Sequence, residues 1–182
     1  YGEIVMKVWK LTVNYDYEQL ESIKDIPIED ILSFDGRSKL ENWTPIAVKP
    51  MYREHPLGDV TSLWHIEVVS PKVIEVLKDL TEGQVEYLPL LCANHEYYLI
   101  NVVNLVDAID YSKAEAKYYS NSNRVMRFQK FAFYEEKLKG NYIFKLIEHP
   151  KSAIYVTDEF RQRVVDSGVT GFDFDLVWDS EA

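Results

Sequence analysis

Few residues in this chain of 182 amino acids have the types and spacing that catalysis requires. Cys92 and His95 lie close together in "CANHE", and a thiol beside an imidazole can form a nucleophile. No nearby residue would orient this pair, so we interpret Cys92 as a small buried hydrophobic residue and His95 as a turn residue. His65 and Glu67 in "HIE" match half of a zinc-deaminase motif, but the P-C-x-x-C half is absent. We therefore interpret His65 as a strand residue beside the core.

Two aspartates offer a second possible chemistry. Asp107 and Asp110 follow a long apolar run, and binding sites of α/β proteins gather at such strand ends. If the protein were a small hydrolase, Asp107 and Asp110, His65, or Cys92 with His95 would carry the reaction. The alternative role of the aspartates is hydrogen bonding at the end of a strand. A metal site would need three or four ligands at close spacing, and the four histidines are scattered, so we expect no metal and no cofactor.

Carboxylates are the most numerous candidates for a binding function, because 30 acids against 20 bases give a net charge of −10. Residues 14–35 hold seven acids and one lysine. In "GFDFDLVWD" aromatic and acidic residues alternate, and this period of two places the acids together on the outer face of a strand. A solvated strand face is the alternative interpretation. We predict an acidic docking surface made of Asp16, Glu18, Glu21, Asp25, Asp173, Asp175 and Asp179.

The charge also limits the partners. Phosphate contacts need an excess of Lys and Arg, so nucleic acid is not expected, whereas a basic protein would be attracted at long range. Residues 113–145 depart from the acidic trend, with eight bases against three acids. One cysteine allows no internal disulfide, no apolar run approaches the ~20 residues of a membrane span, and residues 1–11 lack a secretion signal. We expect a cytoplasmic protein without a membrane partner.

The elements that position these residues predict an α+β fold, with one domain over residues 1–182 and a mixed, largely antiparallel sheet. Ser70 as N-cap and Pro71 at the first helical position begin one helix. Thr157 or Asp158 begins another. Each helix lies between two strands, which predicts two strand-helix-strand units on a shared sheet. Residues 41–59 are irregular but apolar, and we expect Trp43 and Ile46 to pack them on the core.

Two glycines in "SGVTGFDF" have the spacing of a phosphate-binding loop or a nucleic-acid clamp. A phosphate loop, however, leads into the N-terminus of a helix. Gly168 instead follows a helix, where a left-handed residue is wanted, and Gly171 permits a tight turn into the next strand. We therefore predict that both glycines shape the backbone and bind nothing.

Four motifs in this order resemble a known family. They are Ser70 before a helix and the strand "EYLP" (86–89), then "VNLVDAID" (103–110), "TDEF" (157–160) and "TGFDF" (170–174). The set is similar to the immunity proteins numbered eleven in the catalogue of bacterial polymorphic toxin systems. The resemblance covers residues 61–182 firmly and residues 1–60 loosely. No single motif is specific; their order is.

The resemblance implies an intracellular antidote that binds and blocks a cognate toxin domain. We expect the protein itself to be a monomer or a homodimer. The family has no established catalytic residues, so we expect no enzyme, and its hallmark positions imply caps, turns and core aromatics. If the toxin is a nuclease, the acidic surface could imitate nucleic acid in its basic cleft. Two alternatives remain: a scaffold domain that self-associates through an aromatic-rich edge, and the small hydrolase described above.

Overall fold

A computed structural model of the protein describes residues 5–31 and 33–181. The strands are β1 (Lys7–Val13), β2 (Leu20–Ser22), β3 (Ile46–Pro50), β4 (Val60–Leu63), β5 (Ile66–Val69), β6 (Val85–Cys92), β7 (Tyr98–Val102), β8 (Leu105–Val106), β9 (Glu115–Tyr118), β10 (Val125–Lys130), β11 (Ile143–Leu146), β12 (Ile154–Thr157) and β13 (Phe172–Asp179). The helices are α1 (Ile28–Ile31), α2 (Pro71–Leu77), α3 (Glu135–Leu138) and α4 (Asp158–Ser167). The predicted α+β class is confirmed.

The strands form two large assemblies and one hairpin. A five-stranded sheet has the order β13-β1-β12-β11-β8, and six strands close into a barrel in the order β2-β3-β6-β7-β5-β4. Strands β9 and β10 pair only with each other. Most neighbouring strands are antiparallel, and the parallel pairs are β2 with β4, β3 with β6, and β8 with β11.

The two predicted strand-helix-strand units exist, but each belongs to a different assembly. The unit β5-α2-β6 lies in the barrel, where β7 pairs antiparallel with both strands. The unit β12-α4-β13 lies in the five-stranded sheet, where β1 lies between β12 and β13 and pairs antiparallel with both. The shared sheet is therefore a wrong prediction. The units meet through their helices instead, where the guanidinium of Arg163 donates to the Val76 carbonyl at 3.2 Å and to Asp79 at 2.6 Å.

The helices begin where the sequence predicts, without the predicted side-chain bonds. Ser70 and Thr157 are the N-cap residues of α2 and α4, yet neither hydroxyl forms a cap hydrogen bond, and both oxygens are buried without a partner among the described residues. Helix α4 ends as predicted at Gly168, with φ 72°. Within residues 5–31 and 33–181, no helix has the length and the apolar character needed to cross a membrane.

Three hydrophobic clusters hold these layers together. The first lies between the five-stranded sheet, the outer wall of the barrel, α2 and α4, and includes Leu11, Val69 and Phe160. The second covers the opposite face of the five-stranded sheet, and the third fills the barrel. Trp43 and Ile46 pack against the third cluster, which confirms the predicted anchoring of residues 41–59.

Candidate functional site

Two of the predicted acidic residues share one face of an edge strand. Asp173 and Asp175 are exposed on β13, the last strand of the five-stranded sheet, and Lys10 of β1 lies directly opposite Asp175. Phe172 and Phe174 alternate with them and pack into the first core cluster. The alternation of period two is therefore present over this part of β13.

Asp179 does not continue this row. A β-bulge interrupts the pairing of β13 with β1, so that Asp175 lies opposite Lys10 but Asp179 lies opposite Lys7. Lys7 and Lys10 are three residues apart on a regular strand and point to opposite faces, and directly paired residues share a face. Asp179 therefore lies on the other face of the sheet. The predicted row of three aligned acids is wrong at its third member.

The acids of residues 14–35 divide between a turn and the barrel. Asp16 lies exposed in the turn that follows β1, Glu21 belongs to β2 of the barrel, and Asp25 is exposed in the loop beyond. The ammonium of Lys49 lies 3.6 Å from the carboxylate of Glu21. An ion pair this exposed contributes little to stability. These acids remain accessible to a partner, but they form no single row with the acids of β13.

Glu18 is enclosed, with 1% of its surface exposed. Its carboxylate accepts hydrogen bonds from the backbone N–H groups of Tyr52 (2.8 Å), Gln19 (3.2 Å) and His55 (3.3 Å). Burial acts to raise the pKa of Glu18, but the bonds from these N–H groups together outweigh it and lower the pKa. The prediction of Glu18 as a surface contact is wrong, because its carboxylate orders the turn at residues 51–55.

Replacing Glu18 with glutamine should lower the free energy of unfolding by about 2 kcal/mol at neutral pH, since an amide cannot replace a charged acceptor of several N–H groups. The lowered pKa of Glu18 means that this stabilisation is present above the unfolded-state pKa and is lost as pH falls. Urea unfolding of both proteins at several pH values measures the difference. A loss that did not shrink in acid would contradict the role of the carboxylate.

The residues of the hydrolase hypothesis do not meet in one pocket. His65 lines a cavity between the five-stranded sheet and the barrel, whereas Asp110 lines a groove beside β13. Cys92 and His95 lie at the β6–β7 turn, where burial raises the pKa of the Cys92 thiol and disfavours the reactive thiolate. Asp107 is exposed. Among the described residues, no three side chains of His, Cys, Asp or Glu are grouped so that they could hold a metal ion.

The cavity that His65 lines has a volume of 460 Å³ and contains two buried charged residues. Glu67 of β5 is 7% exposed and Lys145 of β11 is 5% exposed. The Lys145 ammonium donates to the carbonyl oxygen of Phe34 at 3.0 Å. Burial raises the pKa of Glu67 to about 7, although its own backbone N–H and Lys145 act against the shift. In the sequence, the burial of these two residues is indicated only by a single charge inside an apolar run, Glu67 in "LWHIEVV" and Lys145 in "YIFKLI".

The rim of this cavity includes a strained turn. Trp64 and His65 connect β4 to β5 with φ 53° and 64°, a left-handed conformation that Asn-Gly pairs usually adopt. For other residues this conformation costs about 1–2 kcal/mol each. The Tyr15 hydroxyl lies 2.9 Å from Nδ1 of His65, and both residues line the cavity and are exposed. Strained turns of this kind are often found at functional positions, and this one lies at the rim of the cavity.

Comparison with known proteins identifies the family. A search of curated proteins finds no match. A family model described as "Immunity protein family (Imm11)" matches residues 30–179. This span contains the motifs at residues 86–89, 103–110, 157–160 and 170–174, together with the acids of β13, and it begins after Asp25. The chain therefore belongs to the Imm11 family of immunity proteins.

Proposed function

We propose that this protein binds the cognate toxin of a bacterial polymorphic toxin system and neutralises it without covalent chemistry. The observation that carries the proposal is membership of the Imm11 immunity family over residues 30–179. An inhibitor of this kind needs a complementary surface, and it needs no catalytic group of its own. The separation of His65 from Asp110 in two different pockets agrees with that requirement.

The acidic surface proposed for docking consists of those acids predicted from the sequence that are exposed or half-exposed in the structure. Asp173 and Asp175 form its centre, because they lie side by side on an edge strand whose outer side has no neighbouring strand in the described part of the chain. The same acids could instead protect this edge from pairing with another sheet. The other members are Asp16, Glu21, Asp25 and, on the opposite face of β13, Asp179.

The candidate toxin is a variable C-terminal domain of a large secreted protein, to be sought in the gene upstream, and co-expression with that domain tests the function. Expression of that domain alone should arrest growth, and the immunity protein should restore it in proportion to its level. Purified proteins should then form a complex at equal molar amounts, measured by sedimentation or calorimetry. Failure of the wild-type protein both to bind the domain and to restore growth would refute the proposed function.

Replacing both Asp173 and Asp175 with lysine should slow association with the toxin about tenfold at low ionic strength, because the acids steer a basic partner. The difference should narrow as salt screens the charges. The matched control replaces Glu82 and Glu96 with lysine, which changes the net charge equally at exposed positions elsewhere. Stopped-flow association rates at several salt concentrations measure both variants. Equal rates for the two variants would show that the acids of β13 do not face the toxin.

A further inference from the structure

The hairpin of β9 and β10 carries a charge opposite to that of the rest of the protein. Residues 113–130, called the basic hairpin below, contain five bases and one acid, a net charge of +4. Since the whole chain carries −10, the remainder carries −14. The five bases are all exposed: Lys113, Lys117, Arg124, Arg127 and Lys130. A localised basic surface on an acidic protein therefore marks this hairpin as distinct.

The arrangement of the bases on the two strands destabilises the hairpin, because two of them lie directly opposite each other. Lys117 and Arg127 lie directly opposite each other in the β9–β10 register, and like charges in this position repel. Only Lys130 has an acid, Glu115, as its opposite residue. Within the described part of the chain, no ion pair reaches Lys117 or Arg127. A negatively charged partner would relieve this repulsion.

Exposed aromatic and sulfur-containing side chains accompany the bases. Tyr119 is 42% exposed and Met126 is 38% exposed. Tyr118 is 45% exposed but lies directly opposite the buried Val125, so it belongs to the inner face of the hairpin. The guanidinium of Arg124 lies 4.9 Å from the centre of the Tyr119 ring, which holds both side chains at the tip of the hairpin. Tyr, Met and Arg are the residues enriched in the centres of protein–protein interfaces. Tyr119, Arg124 and Met126 therefore give this surface three side chains of the types that protein interfaces favour.

The inner side of the basic hairpin is fixed to the body. Val125 is buried, and its carbonyl oxygen accepts a hydrogen bond from Nε2 of His149 at 2.9 Å. The Phe128 ring packs against the rings of Phe131 at 5.3 Å and His149 at 5.9 Å. The hairpin therefore presents its outer side chains from a rigid support, which reduces the entropy lost on binding.

We propose that the outer face of the basic hairpin is a docking site for an acidic protein surface. On the proposed function, on which this inference rests, that surface belongs to the toxin. A protein fits the site better than a nucleic acid does, because an extended polyanion would run from the small basic patch onto a body of charge −14. The toxin would then contact two regions of opposite charge, the acids of β13 and the bases of this hairpin.

The test replaces Lys117 and Arg127 with glutamate and compares this hairpin variant with a matched control, Lys24→Glu with Lys139→Glu. All four bases are exposed, so the two variants have the same net charge. Affinity for the toxin domain is measured by calorimetry at low and physiological salt. We expect about hundredfold weaker binding by the hairpin variant and at most about threefold by the control, because like-charge juxtaposition at an interface is costly. Equal binding by the two variants would show that the basic hairpin does not contact the toxin and would overturn this proposal.

A second arm tests the chemistry of the site without the toxin. A fluorescent peptide of alternating Glu and Asp should bind the wild-type protein and the control in a salt-sensitive manner, and should not bind the hairpin variant. If the wild-type protein binds this peptide but no toxin, the proposed function fails while the acidic-protein site stands. Binding of a single-stranded RNA in preference to the peptide would overturn the site as one for proteins. Salt-sensitive dimerisation that only the hairpin variant lacks would assign the site to a second copy of this chain and overturn the toxin.

Discussion

Replacing Glu67 with glutamine should raise the free energy of unfolding by about 3 kcal/mol at about pH 8, and the gain should vanish toward about pH 4. Burial raises the pKa of Glu67 from 4.5 to about 7 in the folded protein. Between these values the folded state keeps a proton that the unfolded state has lost, so the stability of the wild-type protein falls as pH rises. Above the folded pKa the carboxyl of Glu67 is ionised in both states, and the full loss of stability from burying its charge is reached. Glutamine carries no charge at any pH, so the variant does not lose this stability.

The attraction of Lys145 is already contained in the folded-state pKa of Glu67, so it does not cancel the expected gain. Denaturant unfolding of the wild-type protein and of the Glu67→Gln variant across this pH range measures the effect. The Glu82→Gln variant serves as a control, because Glu82 is exposed and its loss should change stability little at any pH. A difference between wild type and Glu67→Gln that stays constant with pH would mean that Glu67 is hydrated in solution.

Replacing Gly171 with alanine should lower the free energy of unfolding by about 4 kcal/mol, the sum of backbone strain and overpacking. Gly171 has φ 105°, and a Cβ atom there would overlap the carbonyl oxygen of Val60 and lie 3.0 Å from its Cβ. Rotation of a side chain cannot remove the clash, because the obstacle is backbone. The Val60 N–H also donates to the carbonyl of Thr170 at 3.0 Å, which fixes the two segments together.

Gly168 provides the matched control for this substitution. It has φ 72°, but nothing lies within 4 Å of the position that a Cβ would take. The Gly168→Ala variant should therefore lose only the cost of a left-handed alanine, about 1–2 kcal/mol. Urea unfolding of both variants gives the comparison. Equal losses at the two positions would show that β4 moves away from Gly171 without cost.

Local features of the fold could be predicted because each depends on a few neighbouring residues. Pro71 after Ser70 begins α2, Gly168 ends α4, and the alternation in "FDFD" places Asp173 and Asp175 on one face. The order of the motifs also identified the family that the comparison confirms. The prediction of capping hydrogen bonds at Ser70 and Thr157 is wrong, because the position of a residue alone does not determine where its hydroxyl points in the folded protein.

Features that depend on distant residues could not be predicted. Glu18 is buried because the turn at residues 51–55 surrounds its carboxylate. The residues next to Glu18 in sequence give no indication of the N–H groups of that distant turn. Asp179 changes face because a bulge forms where β13 pairs with β1, far away in sequence. The barrel closes through β2 and β4, whose pairing likewise has no local signal in the sequence.

The burial of Glu67 and Lys145, by contrast, is indicated in the sequence, because each is a single charged residue inside an apolar run.

The central position of β1 between β12 and β13 has a consequence for how the protein forms. Strand β1 is synthesised before the other described strands, but both of its pairing partners follow at the far end of the described chain. The barrel strands, by contrast, all lie between β2 and β7 and can pair earlier. Strand β1 therefore stays unpaired until β12 has been synthesised, and the five-stranded sheet is complete only after β13 follows. Long-range closure of this kind is intrinsically slow.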